Sequence, residues 1–66
     1  MLTINIDKFL IALAKAEMTT LELKVESGVG RNTISKIING GSNVRPDIVG
    51  RLAKALNVEV EQIVDI

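Results

Sequence analysis

The apolar residues of this chain recur at the helical interval, and each such run is broken by a cap, a glycine or a proline within about three turns. A pattern of this kind builds only short helices, which are marginal alone and persist by packing on one another. Ile6, Phe9, Leu10, Leu13 and Ala14 form the first stripe, with Asn5 as N-cap. Ile11 lies off it, either as an extra core contact or as an exposed apolar one. Thr19-Thr20-Leu21-Glu22 is a capping box, and Met18 and Leu23 hold the positions of a hydrophobic staple, so a second helix starts there. Ser27-Gly28 stops it. Gly30 caps a third helix with Ile34, Ile37 and Ile38 on its core edge; Asn39-Gly40-Gly41 ends it, and a polar loop runs through Asn43. Pro46 suits the first turn of a fourth helix carrying Val49, Leu52, Ala53 and Leu56, with Asp47 near its positive end and Asn57 closing it. Val60, Ile63 and Val64 suggest a short fifth helix. Leu2, Ile4 and Ile6 alternate, but three residues make no convincing strand. The expected fold is all-α, a compact bundle of four to five helices in which residues 1–66 form a single domain.

What such a domain does is narrowed by what it lacks. At 66 residues it has little room for a deep substrate pocket beside its own core. It contains no Cys, His, Trp or Tyr, which removes disulfides, thiol and imidazole metal ligands and the commonest general base. No metal or cofactor is called for, and Asp7, Glu17, Glu22 and Glu26 read as solvated helix carboxylates, so an enzyme is not expected. The longest apolar run, Phe9 to Ala14, falls far short of the roughly 20 residues that span a bilayer. Ala14-Lys15-Ala16 has the form of a signal-peptidase site, but a short apolar run and Asp7 precede it, not a basic cluster. The reading is cytoplasmic with no membrane partner. Since the fifth helix runs to Ile66 without a linker, a complete small protein is expected.

Thr20 to Ile38 is the informative stretch: two short helices joined by a glycine turn, at the spacing of a helix-turn-helix. Leu23 faces inward, Gly28 makes the turn, Val29 plugs the corner, and Ile34 and Ile37 anchor the second helix. That geometry leaves the N-terminus of the second helix protruding, with free N–H groups suited to a phosphate-lined groove. Leu23, Ser27-Gly28-Val29, Thr33-Ile34-Ser35-Lys36-Ile37, Asn39-Gly40 and Leu52-Ala53-Lys54-Ala55-Leu56-Asn57-Val58 together resemble the Cro/repressor-type (xenobiotic-response-element) helix-turn-helix proteins of phages and bacteria. The resemblance runs from about Ile6 to Val64. It implies a repressor-like fold of four to five helices and sequence-specific binding of double-stranded DNA as a dimer. Three positions depart from the family pattern: Thr20 stands where members carry a Gln that often touches DNA, Lys24 where they have Ala, and Gly50 where they prefer Leu. Gly50 in mid-helix costs about 1 kcal/mol relative to Ala. Lys24 must run out along the surface, or the helix crossing must open.

The charges are segregated although they cancel. Between Lys24 and Lys54 six basic residues meet two acids, a net +4; the rest of the chain carries two bases and six acids, a net −4. The positive part surrounds the reading helix, as binding to a phosphate backbone requires.

The residues divide by role. Arg31, Asn32 and Thr33 form the first turn of the third helix, where Arg can bond guanine and Asn adenine, although helix N-termini favour polar residues in any case. Ser35 and Lys36 lie one turn on, with Lys36 on a phosphate or a base edge. Asn39, Ser42, Asn43 and Arg45 either line a phosphate strand or serve as turn and cap residues. Thr20 either offers its hydroxyl to a phosphate or only starts a helix, and Arg51 and Lys54 read as a solvated face. The leading function is a transcriptional regulator, a repressor, whose homodimer reads a palindromic operator with half-sites about one helical turn apart. The dimer contact is expected at Val60, Ile63, Val64 and Ile66, with Leu2 and Ile4 as further candidates. The competing function is a protein-interaction module, antitoxin- or antirepressor-like, gripping a protein partner.

Overall fold

The computed structural model describes residues 1–40 and 43–65. Its helices are α1 (Ile6–Ala16), α2 (Thr20–Ser27), α3 (Arg31–Ile38) and α4 (Pro46–Leu56), with a two-stranded ribbon of β1 (Leu2–Thr3) and β2 (Asn43–Val44) and a 3₁₀ turn at Val60–Gln62. The helix boundaries fall where local chemistry puts them. Asn5 accepts the Lys8 N–H at 3.0 Å. The Thr19 hydroxyl accepts the Glu22 N–H at 3.1 Å, and the Glu22 carboxylate accepts the Thr19 N–H at 3.0 Å, closing the capping box. Pro46 opens α4, and Asn57 ends it in the left-handed conformation. α1 also ends left-handed, at Glu17 with φ of 54°, a position with no glycine or asparagine to announce it.

These helices enclose one core. α2 lies across α4 and α3, while α1 packs on α4 and the 3₁₀ turn. Phe9, Leu23, Val49, Leu52 and Ile63 are fully buried within it, and among the described residues no polar or charged one is. The fold is all-α as expected, with a single 3₁₀ turn in place of a fifth helix. The Glu59 N–H donates to the Gln62 side-chain Oε1 at 2.8 Å, and the Gln62 N–H donates to the Glu59 backbone carbonyl at 3.0 Å.

Three expectations are corrected. The first concerns α1, where Leu10 and Ala14 face solvent and Ala12 is buried, so the inner face is Phe9, Ala12 and Leu13 with Ala16 at its edge. Ile11 takes the exposed option. α1 has apolar residues on two sides, with Asp7, Lys8 and Lys15 exposed, and docking against α4 and the 3₁₀ turn selects the inner one.

The second is the strand. Leu2 pairs with Val44 and Thr3 with Asn43, antiparallel, and Ile4 bridges Val64. Asn43 thus belongs to β2 and not to a loop.

The third concerns Ile63 and Val64, two of the residues expected in a dimer contact. Ile63 and Val64 lie inside the chain's own core, as does Ile4, leaving no side-chain surface for a second copy. The two ends of the chain are fastened together: the Asn5 N–H donates to the Ile63 carbonyl at 2.9 Å, and the Asp65 N–H to the Thr3 carbonyl at 2.9 Å. Val60 and Leu2 are half-buried against the same core. Ile66 and Ser42 lie outside the described residues.

Two substitutions test this packing. A Cβ added at Gly50 meets nothing within 4 Å; Gly50→Ala should therefore stabilise the domain by about 0.5–1 kcal/mol, read as a higher midpoint in thermal unfolding. Ile63→Ala should destabilise it by about 2–5 kcal/mol in urea titration, as loss of a core side chain does and loss of a surface contact does not.

Candidate nucleic-acid interface

α3 is aimed by the corner that precedes it. Gly28 ends α2 with φ of +70° and donates its N–H to the Lys24 carbonyl at 3.0 Å. A Cβ there would touch nothing within 4 Å, so the demand for glycine comes from the backbone angle and not from crowding. Ser27 bridges the turn: its hydroxyl donates to the Leu23 carbonyl at 2.6 Å and accepts the Val29 N–H at 3.1 Å. Val29 is buried beside Leu23 and Ile34 in the core. Gly30 is extended, and α3 begins at Arg31 with no side chain capping its first N–H groups.

The helical period then sorts α3 into two faces. Ile34 and Ile37 are buried and Ile38 is half-buried. Arg31, Asn32, Ser35, Lys36 and Asn39 form one continuous exposed face. Thr33 is half-buried at the margin between the faces, turned further from the exposed centre than its neighbours. On the α2 side, a groove of about 410 Å³ brings Thr20, Arg31, Ser35 and Asn39 together over a floor of Ile34 and Ile38. The Asn39 amide reaches the Ser35 hydroxyl at 3.4 Å across one turn.

Two other candidates lie elsewhere. Asn43 sits in the ribbon, its carbonyl oxygen accepting the Thr3 hydroxyl at 3.1 Å. Arg45 precedes α4 and lies 3.5 Å from the Asp47 carboxylate, both side chains exposed. This is the only ion pair among the described residues. Lys24, Arg31 and Lys36 thus point to solvent without a carboxylate partner, an arrangement open to anions.

Leu21 and Lys24 also line the groove. In the sequence Leu21 reads as part of a capping box, and Lys24 as a departure from the family pattern and one of the bases around the reading helix, neither as a groove residue. The signal was available: with Leu23 inward, the helical interval puts Thr20, Leu21 and Lys24 together on another side of α2. Lys24 is exposed, and the groove opens beside it.

Removing the bridge at the corner with Ser27→Ala should cost about 1–2 kcal/mol in denaturant titration, because the Val29 N–H loses its partner where burial is tight. Residues 10–63 match the family described as Helix-turn-helix. No curated protein and no solved structure matches the chain. The family match spans most of the chain and includes the whole of α2, the corner and α3, and on that ground the protein belongs to the Cro/C1-type helix-turn-helix family of DNA-binding regulators.

Proposed function

We propose that this protein is a cytoplasmic transcriptional repressor that binds a palindromic operator as a homodimer and reads each half-site with α3 in the major groove. The observation that carries the reading is the exposed row Arg31, Asn32, Ser35, Lys36 and Asn39 on a helix whose opposite edge is buried. In this reading Arg31 and Asn32 meet base edges, since both can bond bidentately to a purine. Ser35 and Lys36 follow along the groove, with Thr33 at its margin. Thr20 and Asn39, on the two sides of the α2–α3 groove, hold phosphates; Asn43, Arg45 and Ser42 extend that contact along the backbone. The exposed Arg45–Asp47 pair is cheap to exchange for a phosphate. One copy offers a small interface, and two half-sites one helical turn apart supply the rest. The acidic remainder of the chain keeps non-specific affinity low.

A second reading has its own observation. Leu21 is 65% exposed and Val25 72%, one turn apart on α2. Apolar groups beside a cationic groove suit a protein partner, as in an antitoxin- or antirepressor-like module.

Mobility shifts on a random duplex pool at two salt concentrations separate these. Under the regulator reading a palindromic sequence is enriched and binding weakens with salt. Arg31→Ala then loses about 1–3 kcal/mol at one base position, whereas Lys36→Ala on a phosphate weakens all sequences alike and lowers the salt slope by about 1. A pool with no enrichment at either salt sinks the repressor and leaves the interaction module.

A further inference from the structure

α1 is apolar on both of its sides. Phe9, Ala12 and Leu13 face the core, while Leu10 and Ile11, 44% and 56% exposed, project outward with Ala14. The same outer side carries the exposed charges Asp7, Lys8 and Lys15, so Leu10, Ile11 and Ala14 form an apolar strip set among charged residues. α4 and the 3₁₀ turn cover the inner side. Asp7 and Lys8 stand at the N-terminal end of the outer strip and Lys15 at its C-terminal end, with Lys8, Ile11 and Lys15 lining one surface groove. Asp7 lies four residues before Ile11 and Lys15 four residues after it, both exposed.

We infer that the outer face of α1 is the contact between two copies of this chain, packed antiparallel about a two-fold axis beside Ile11. In the register centred there, each Asp7 stands opposite the partner's Lys15, and the pairing occurs twice because the contact is its own complement. A parallel arrangement would set Asp7 against Asp7 and Lys15 against Lys15. Antiparallel pairing also opposes the two helix dipoles, and Ala14 lets the backbones approach. The contact leaves the reading face open, since α1 packs on α4 and the 3₁₀ turn while α3 packs on α2.

The placement rests on the homodimer proposed above and supplies the surface that Ile63 and Val64 do not. One side of a three-turn helix buries less than the roughly 800 Å² per partner of a standard interface. The free protein is therefore a weak dimer, drawn together when two half-sites lie on one duplex.

Sedimentation equilibrium of the full chain tests this. The wild type should show a monomer–dimer equilibrium. Ile11→Asp should weaken it at least ~30-fold, by placing two carboxylates in the contact. Asp7→Lys and Lys15→Asp should each weaken it about ten-fold by setting like charges together twice. An equimolar mixture of those two variants restores opposite charges at both positions, and should associate at least as tightly as the wild type. Thermal melts establish that each variant is folded. A wild type that stays monomeric to ~1 mM, a folded Ile11→Asp variant that dimerises normally, or a mixture that does not recover would each overturn the inference. Binding of the Ile11→Asp variant to a duplex with one half-site, run in parallel, reports on the DNA reading alone, because the groove beside Ile11 is lined by Lys8, Ala12, Lys15, Val58 and Gln62 and by no residue of α3.

Discussion

Everything that α3 presents to solvent depends on the turn at Ser27-Gly28-Val29. Gly28 supplies the left-handed backbone angle, the Ser27 hydroxyl bridges the end of α2 to the start of the next segment, and Val29 is held in the core. Together they rotate α3 so that Ile34 and Ile37 go in and Arg31, Ser35 and Lys36 come out. A shift of one residue at this corner would turn α3 by about 100° and carry its isoleucines toward solvent. Hydrophobic burial and the aim of the reading face are thus a single constraint, which is why so small a core can hold a specific surface.

The electrostatics follow the same division. Every charged residue among those described stays out of the core, so the interior carries no ionic penalty. A chain of zero net charge nonetheless concentrates a net +4 between Lys24 and Lys54. Among the cations of the described residues Arg45 alone pairs with a carboxylate, that of Asp47, and Lys24, Arg31 and Lys36 have none. The segment from Lys24 to Lys54 takes in α3, the second half of α2 and most of α4, so a polyanion can approach it without the whole molecule being basic.

How much of this could be read from the chain depended on the range of the forces involved. The caps at Asn5, Thr19, Gly28 and Asn57 were legible because a cap joins residues three or four positions apart. The exposed row of α3 was legible because its isoleucines mark the opposite face unambiguously. The stripe of α1 was not: with apolar residues on both sides, the helical period alone has no preferred direction, and Leu10 and Ala14 were assigned inward while Ala12 was missed. Leu21 and Lys24 escaped notice as groove residues because the groove exists only between two helices.

The chain's own sequence decided where the four helices begin, where α2, α3 and α4 end, and which side of α3 meets solvent, since those outcomes rest on interactions within one turn or one period. The tertiary structure alone decided the fate of the two ends. Leu2 to Ile4 pairs with Asn43, Val44 and Val64, and Ile63 and Val64 are thereby drawn into the core instead of onto a surface. Backbone pairing across sixty positions has no local signature in residues this few, because the energy that selects it comes from apolar area shared with partners elsewhere in the chain.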